Sequence, residues 1–99
     1  MRKLNTAVVC KDGFRMSIQA NDTAYCDPRM IGAHKYETVE IGFPNQREEM
    51  ILEYAEDREK PTDTVYAYVP SSLVSLVIAK HGGSVEGELP AGIPYLRAD

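Results

Sequence analysis

Six acidic side chains fall within twelve residues, at Glu48, Glu49, Glu53, Glu56, Asp57 and Glu59. Two of them could share acid/base work, or the whole run could present one anionic patch to a cationic partner. Elsewhere, Lys80-His81-Gly82-Gly83 ends the stretch YVPSSLVSLVIAKHGG, a combination that could hold a phosphate or finish a helix. Anion sites use helix N-termini, whereas these glycines follow a C-terminus. The cap reading accounts for all four residues: Lys80 and His81 meet the negative end of the helix dipole, and Gly82 takes the left-handed conformation that closes the helix. Cys10, Cys26, His34 and His81 are the soft metal ligands of the chain, but no pair has the short spacing of a structural zinc site. Cys26 and His34 share one loop and could pair as nucleophile and base, without a third group in view to orient them. No glycine-rich phosphate loop is present. The residues support no catalytic, metal or cofactor assignment, and the chain is read as non-enzymatic.

The elements that must position these residues follow from periodicity and turn chemistry. Asp12-Gly13 within NTAVVCKDGFRMSIQA predicts a β-hairpin with a two-residue turn, placing Ala7, Val9, Phe14, Met16 and Ile18 on one face. NDTAYCDPRMIGAHK, rich in Asn, Asp, Pro and Gly, is a loop of about fifteen residues, a length usually associated with function. YETVEIGFP alternates, with Val39, Ile41 and Phe43 on one side and Thr38, Glu40 and Gly42 on the other, until Pro44 stops the strand. In NQREEMILEYAEDREKPTD, Asn45 and Glu48 resemble a capping box, which favours a short helix, yet Met50, Leu52 and Tyr54 alternate as a strand would; both stay open for 46–56, with a strand or extended segment preferred. DTVYAYVP is a strand with Val65, Ala67 and Val69 inward and Tyr66 and Tyr68 outward.

The helix spans 71–81, entered at Pro70 and capped by Ser71 or Ser72. Leu73, Val74, Val77 and Ile78 form its apolar arc, and Ser72, Ser75 and Ala79 lie opposite. His81 falls inside the apolar arc and is expected against the sheet as a neutral, hydrogen-bonded imidazole. The tail 84–99 is extended and docks through Ile93, Tyr95 and Leu96. The fold class is α+β: an antiparallel sheet of four to five strands, with one C-terminal amphipathic helix on one face.

Ninety-nine residues suit one small domain with a single core. No apolar run reaches the length of a membrane span, and the first residues read as neither signal peptide nor anchor. Two cysteines are too few for a disulfide framework and suit a reducing compartment, so a cytoplasmic location is expected. The net charge of −4 is uneven: residues 1–35 hold six Lys/Arg against three Asp, and residues 37–63 hold nine Asp/Glu against three Lys/Arg. That balance argues against direct nucleic-acid binding, which relies on cationic side chains, and favours a partner with a basic surface.

Taken together, DGFRMSIQA, YCDPR, YETVEIGFP and DTVYAYVPSSLVSLVIAKHGG resemble a family of short, largely uncharacterised accessory proteins of tailed bacteriophages and prophages. The resemblance covers most of residues 5–83, and NQREEM departs from the proline-punctuated chain the family has there. It implies a bacterial host cell and stoichiometric action on a host protein, including inhibition of host defence as by anti-CRISPR proteins. Three functional expectations follow. The first is a binding protein whose partner face comprises Glu48, Glu49, Glu53, Tyr54, Glu56, Asp57, Tyr66 and Tyr68. The second is a small ligand-binding or enzymatic domain using the 20–35 loop. The third is a homodimeric module paired through the Ser72, Ser75 and Ala79 face or an open sheet edge.

Overall fold

Gly13, with φ of +93°, sets the register of the first hairpin. Its amide donates to the Cys10 carbonyl at 2.9 Å, and the Cys10 amide donates to Phe14 O at 2.8 Å. The loop is therefore Lys11-Asp12-Gly13, three residues with glycine in the left-handed position, rather than the two-residue turn expected from Asp12-Gly13. One extra loop residue slips the pairing by one, to Val8 opposite Met16 and Val9 opposite Arg15. Every side chain of the first strand consequently changes face: Val8 and Cys10 are buried, where the sequence pointed to Ala7 and Val9.

The computed structural model describes residues 4–98; residues 1–3 of the opening stretch, read from sequence as neither signal nor anchor, lie outside the described range. The strands are β1 (Val8–Cys10), β2 (Arg15–Gln19), β3 (Thr38–Gly42), β4 (Val65–Pro70) and β5 (Ser84–Glu86), with helix α1 at Ser71–Lys80. They form one antiparallel sheet in the order β4-β3-β2-β1-β5. β4 and β5 lie at opposite edges, and α1 joins them across one face. The chain is thus α+β, as its periodicities require. Val74, Val77 and Ile78 of α1 are buried with Met16, Ile18, Val39, Ile41, Tyr66 and Val69 of the sheet. No helix among the described residues is long and apolar enough to cross a membrane.

Within residues 46–56 the chain is extended at Glu48 and Ala55 but not between them. A 3₁₀ helix spans Glu49–Tyr54, and its period of three places Glu48, Ile51 and Tyr54 on the inner side. Glu48 and Ile51 are buried and Tyr54 packs partly against the core, so the alternation of Met50, Leu52 and Tyr54 was misleading. The cap also differs from expectation. Glu48 itself accepts the Met50 amide at 2.9 Å, while Asn45 is used by the hairpin, accepting the Arg15 amide and donating to Gly13 O, each at 2.9 Å.

α1 is entered at Pro70, its N-cap, without a side-chain cap bond. Ser71 instead donates its hydroxyl to Tyr36 O at 2.6 Å and its amide to Glu37 O, tying the helix entrance to the loop before β3. The exit is as the sequence indicates. Gly82 N reaches Ala79 O and Gly83 N reaches Ile78 O, the paired bonds of a Schellman closure with Gly82 at φ +91°.

Both sheet edges are covered. Ala55 bridges Tyr66 beside β4 and the Glu56 amide donates to Val65 O; on the other side Ser84 bridges Arg97 and exchanges bonds with Leu96 and Ala98. Within the tail, Ile93 is buried while Tyr95 and Leu96 remain exposed.

Candidate functional site

The residues with the most chemistry meet under the hairpin turn. Asp12 comes from the β1–β2 loop, Glu48 from the cap of the 3₁₀ helix, and Lys80 and His81 from the end of α1. His81 Nδ1 lies 2.6 Å from Asp12 Oδ2 and its Nε2 lies 2.7 Å from Glu48 Oε1. Lys80 Nζ donates to Glu48 Oε2 at 2.9 Å. The Phe14 ring stacks on the imidazole at a centroid distance of 4.1 Å and 11° between planes. His81 is buried and hydrogen-bonded, as its place in the apolar arc predicts. Both ring nitrogens are thus engaged by carboxylate oxygens.

The carboxyls are tuned to match. The Phe14 amide and then the His81 ring hold Asp12 below the usual carboxylate range. Burial pushes Glu48 upward, and the Met50 amide, Lys80 and His81 together overcome it, leaving this carboxyl below its ordinary value as well. Lone pairs and protons are committed to one another: neither histidine nitrogen is left for a substrate, and Glu48, whose side chain is only 1% exposed, cannot reach one. The cluster clamps three elements together. Among the described residues no group of three or more His, Cys, Asp or Glu side chains could hold a metal ion.

The thiols are similarly occupied. Burial, reinforced by Asp12, pushes Cys10 up to about 11. Burial also raises Cys26, whose Sγ donates to Asn21 O at 3.3 Å. His34 is exposed, whereas Cys26 is buried.

The partner face drawn from sequence is divided by the structure. Glu48 is in the clamp. Tyr66 is fully buried, its hydroxyl donating to Pro61 O at 2.6 Å, and Tyr54 is half-buried. Glu49, Glu53, Glu56 and Asp57 are exposed; Glu49 pairs with Arg47 at 2.7 Å. Tyr68 is exposed, as expected. Tyr66 and Tyr68 part company through a bulge: Val39 pairs with Val69 and Ile41 with Tyr66, so β4 carries one residue more than β3 across this interval. The extra residue turns Tyr66 and Val69 both inward and places Tyr68 at φ +53°.

The sheet face away from α1 is open, and of its aromatic residues the sequence singled out Tyr68 but not Tyr25 or Phe43. Phe43, grouped with Val39 and Ile41 by alternation, adopts φ +48° and stands 57% exposed. The left-handed turn at the strand end carries it out of the core series. Tyr25 of the loop accepts the Tyr68 amide through its carbonyl at 3.1 Å and donates its own amide to Glu40 Oε1 at 3.0 Å. The Tyr25 and Tyr68 rings lie 6.0 Å apart, and the Arg29 guanidinium sits 5.4 Å from the Tyr25 centroid. Beside Glu40 is an open depression of about 250 Å³, lined by Leu4, Ser17, Gln19, Asn21, Thr23, Ala24, Glu40, Gly42, Phe43 and Val65. The sequence signals that could have found this face were Gly42, since a glycine inside a strand marks a close approach, and the Tyr25 ring at the head of YCDPR. Compared with known proteins, the chain matches no family model, no curated protein and no solved structure.

Proposed function

We propose that the chain is a non-enzymatic binding protein that engages a partner protein through the open face of its sheet. The observation carrying this reading is the pair of aromatic residues, Phe43 and Tyr68, held at positive φ with their rings exposed on that side. A non-glycine residue in this region carries a cost of about 1–2 kcal/mol, and neither ring recovers it by full burial. Tyr side chains with an apolar body and a polar tip suit the centre of an interface. The exposed acidic residues Glu49, Glu53, Glu56 and Asp57 support a basic partner and faster encounter with it. Through its resemblance to phage accessory proteins, the reading extends to a host protein in the bacterial cytoplasm and to inhibition of host defence, including the anti-CRISPR class.

The test is affinity capture from bacterial lysate by the native chain and by Tyr25→Ser/Tyr68→Gly. One host protein retained stoichiometrically by the native chain and lost by the variant is the expected result. Equal retention by both would sink the aromatic face as the contact surface. Glu49→Gln/Glu53→Gln/Glu56→Gln should retain the partner but associate more slowly, with less dependence on salt.

A further inference from the structure

We infer that the depression over Gly42 receives the guanidinium of an arginine presented by the partner protein. This rests on the reading of the chain as a protein-binding module and specifies what one part of the open face recognises. Among the described residues Glu40 is the only charged side chain lining the depression, and it accepts a hydrogen bond from the Tyr25 amide through Oε1. The wall beyond it is apolar, formed by Leu4, Phe43 and Val65. Leu4 and Phe43 are 61% and 57% exposed, so each offers surface that an entering group would cover.

Gly42 makes the space. A Cβ there would meet Ser17 Cβ at 3.7 Å and Val65 Cγ1 at 4.0 Å, ordinary contact distances, and its φ is not in the left-handed region. The backbone thus does not require glycine at this position; the hydrogen keeps the floor open, a use of strand glycine where a ligand approaches. Gln19 and Asn21 are already engaged, with Asn5 and Ser17 and with Thr23 and Ala24 respectively. The remaining attraction is one carboxylate beside an exposed ring and an aliphatic wall. An arginine matches it: its planar head can bond a carboxylate while resting on an aromatic face, and its methylenes can lie along Leu4 and Val65. A lysine ammonium, a strongly hydrated point charge, gains less from such a wall.

The probe is agmatine, which carries the arginine side chain without its backbone, titrated into the ¹⁵N-labelled full chain. The inference expects saturable amide shifts centred on Glu40, Gly42 and Val65, and affinity at least about tenfold weaker in Glu40→Gln, because the carboxylate charge that pairs with the guanidinium is lost. Gly42→Val should fill the depression and abolish the shifts while keeping the native spectrum elsewhere. Absence of saturable shifts in the native chain overturns the inference, as does an unchanged response in both variants or an equal response to butylamine. Binding seen only after removal of residues 1–3 would assign the depression to the chain's own Arg2 or Lys3 and also overturn it. Tyr25 and Tyr68 do not form the Gly42 floor, so a failed titration with capture still lost in Tyr25→Ser/Tyr68→Gly would defeat this inference alone. Capture unaffected by those substitutions would defeat the broader reading on its own terms.

Discussion

Glu48 shows how far one side chain can depart from the run that contains it. Five of its acidic neighbours are exposed, whereas Glu48 is 2% exposed and accepts from Met50, Lys80 and His81. From sequence alone, Glu48→Gln appears as harmless as Glu49→Gln. Removing one partner of a buried ionic set leaves the others uncompensated, and Glu48→Gln should cost about 3 kcal/mol, while Glu49→Gln/Glu53→Gln should stay within about 0.5 kcal/mol. Denaturant midpoints of the two variants check this, and equal midpoints would remove the clamp from the account. Acid provides a second measure. The carboxyls of Asp12 and Glu48 lie below their ordinary values of 3.8 and 4.5 in the folded chain. Their contribution is therefore fully present above about pH 4.5, and it is lost as pH falls through the lowered folded values. Stability measured between pH 6 and pH 2 should fall on the acid side, and the slope should be shallower in Asp12→Asn and Glu48→Gln.

Strand β4 carries the strain that the binding proposal uses. Its bulge turns two residues inward and leaves Tyr68 at φ +53°. At an ordinary strand position glycine is less stable than alanine; at Tyr68 the order should reverse, because glycine reaches positive φ without the Cβ penalty. Tyr68→Gly is expected to be about 1 kcal/mol more stable than Tyr68→Ala, read by thermal or denaturant unfolding. The normal order would mean that the backbone relaxes at no cost, and the proposed link between strain and interface would go with it. The same bulge explains why strict alternation along VYAYVP misassigned Tyr66. Period-2 reasoning counts residues, and one extra residue reverses every later orientation.

For the molecule as a whole, the tail closes an edge that the sheet would otherwise present. Gly83 makes this possible: its φ is +91°, and a Cβ there would lie 2.8 Å from Ala98 N and 2.9 Å from Leu96 O. At Gly13 the φ is also positive, but a Cβ would meet nothing within 4 Å. Gly83→Ala should therefore destabilise more than Gly13→Ala. It should also displace residues 96–98 from β5 and raise self-association through the uncovered edge, detectable by sedimentation. A monomeric Gly83→Ala with native stability would show that the tail does not guard the edge.

Local chemistry determined much of this protein. Alternation placed Val39 and Ile41 in the core, the apolar arc of α1 placed Val74, Val77 and Ile78 there, and Gly82 after Lys80-His81 marked the helix exit. These features depend on neighbours along the chain, which a sequence displays. Tertiary structure decided the hairpin register, the choice of Glu48 over Asn45 as a cap, the bulge that separates Tyr66 from Tyr68, and the outward turn of Phe43. Each was a competition between alternatives of similar local energy, settled by partners distant in sequence. His81 is the clearest instance: its own segment made it a capping residue on an apolar face, and only packing brought Asp12 and Glu48 to its two nitrogens, because burying that ring requires both of its polar atoms to be satisfied.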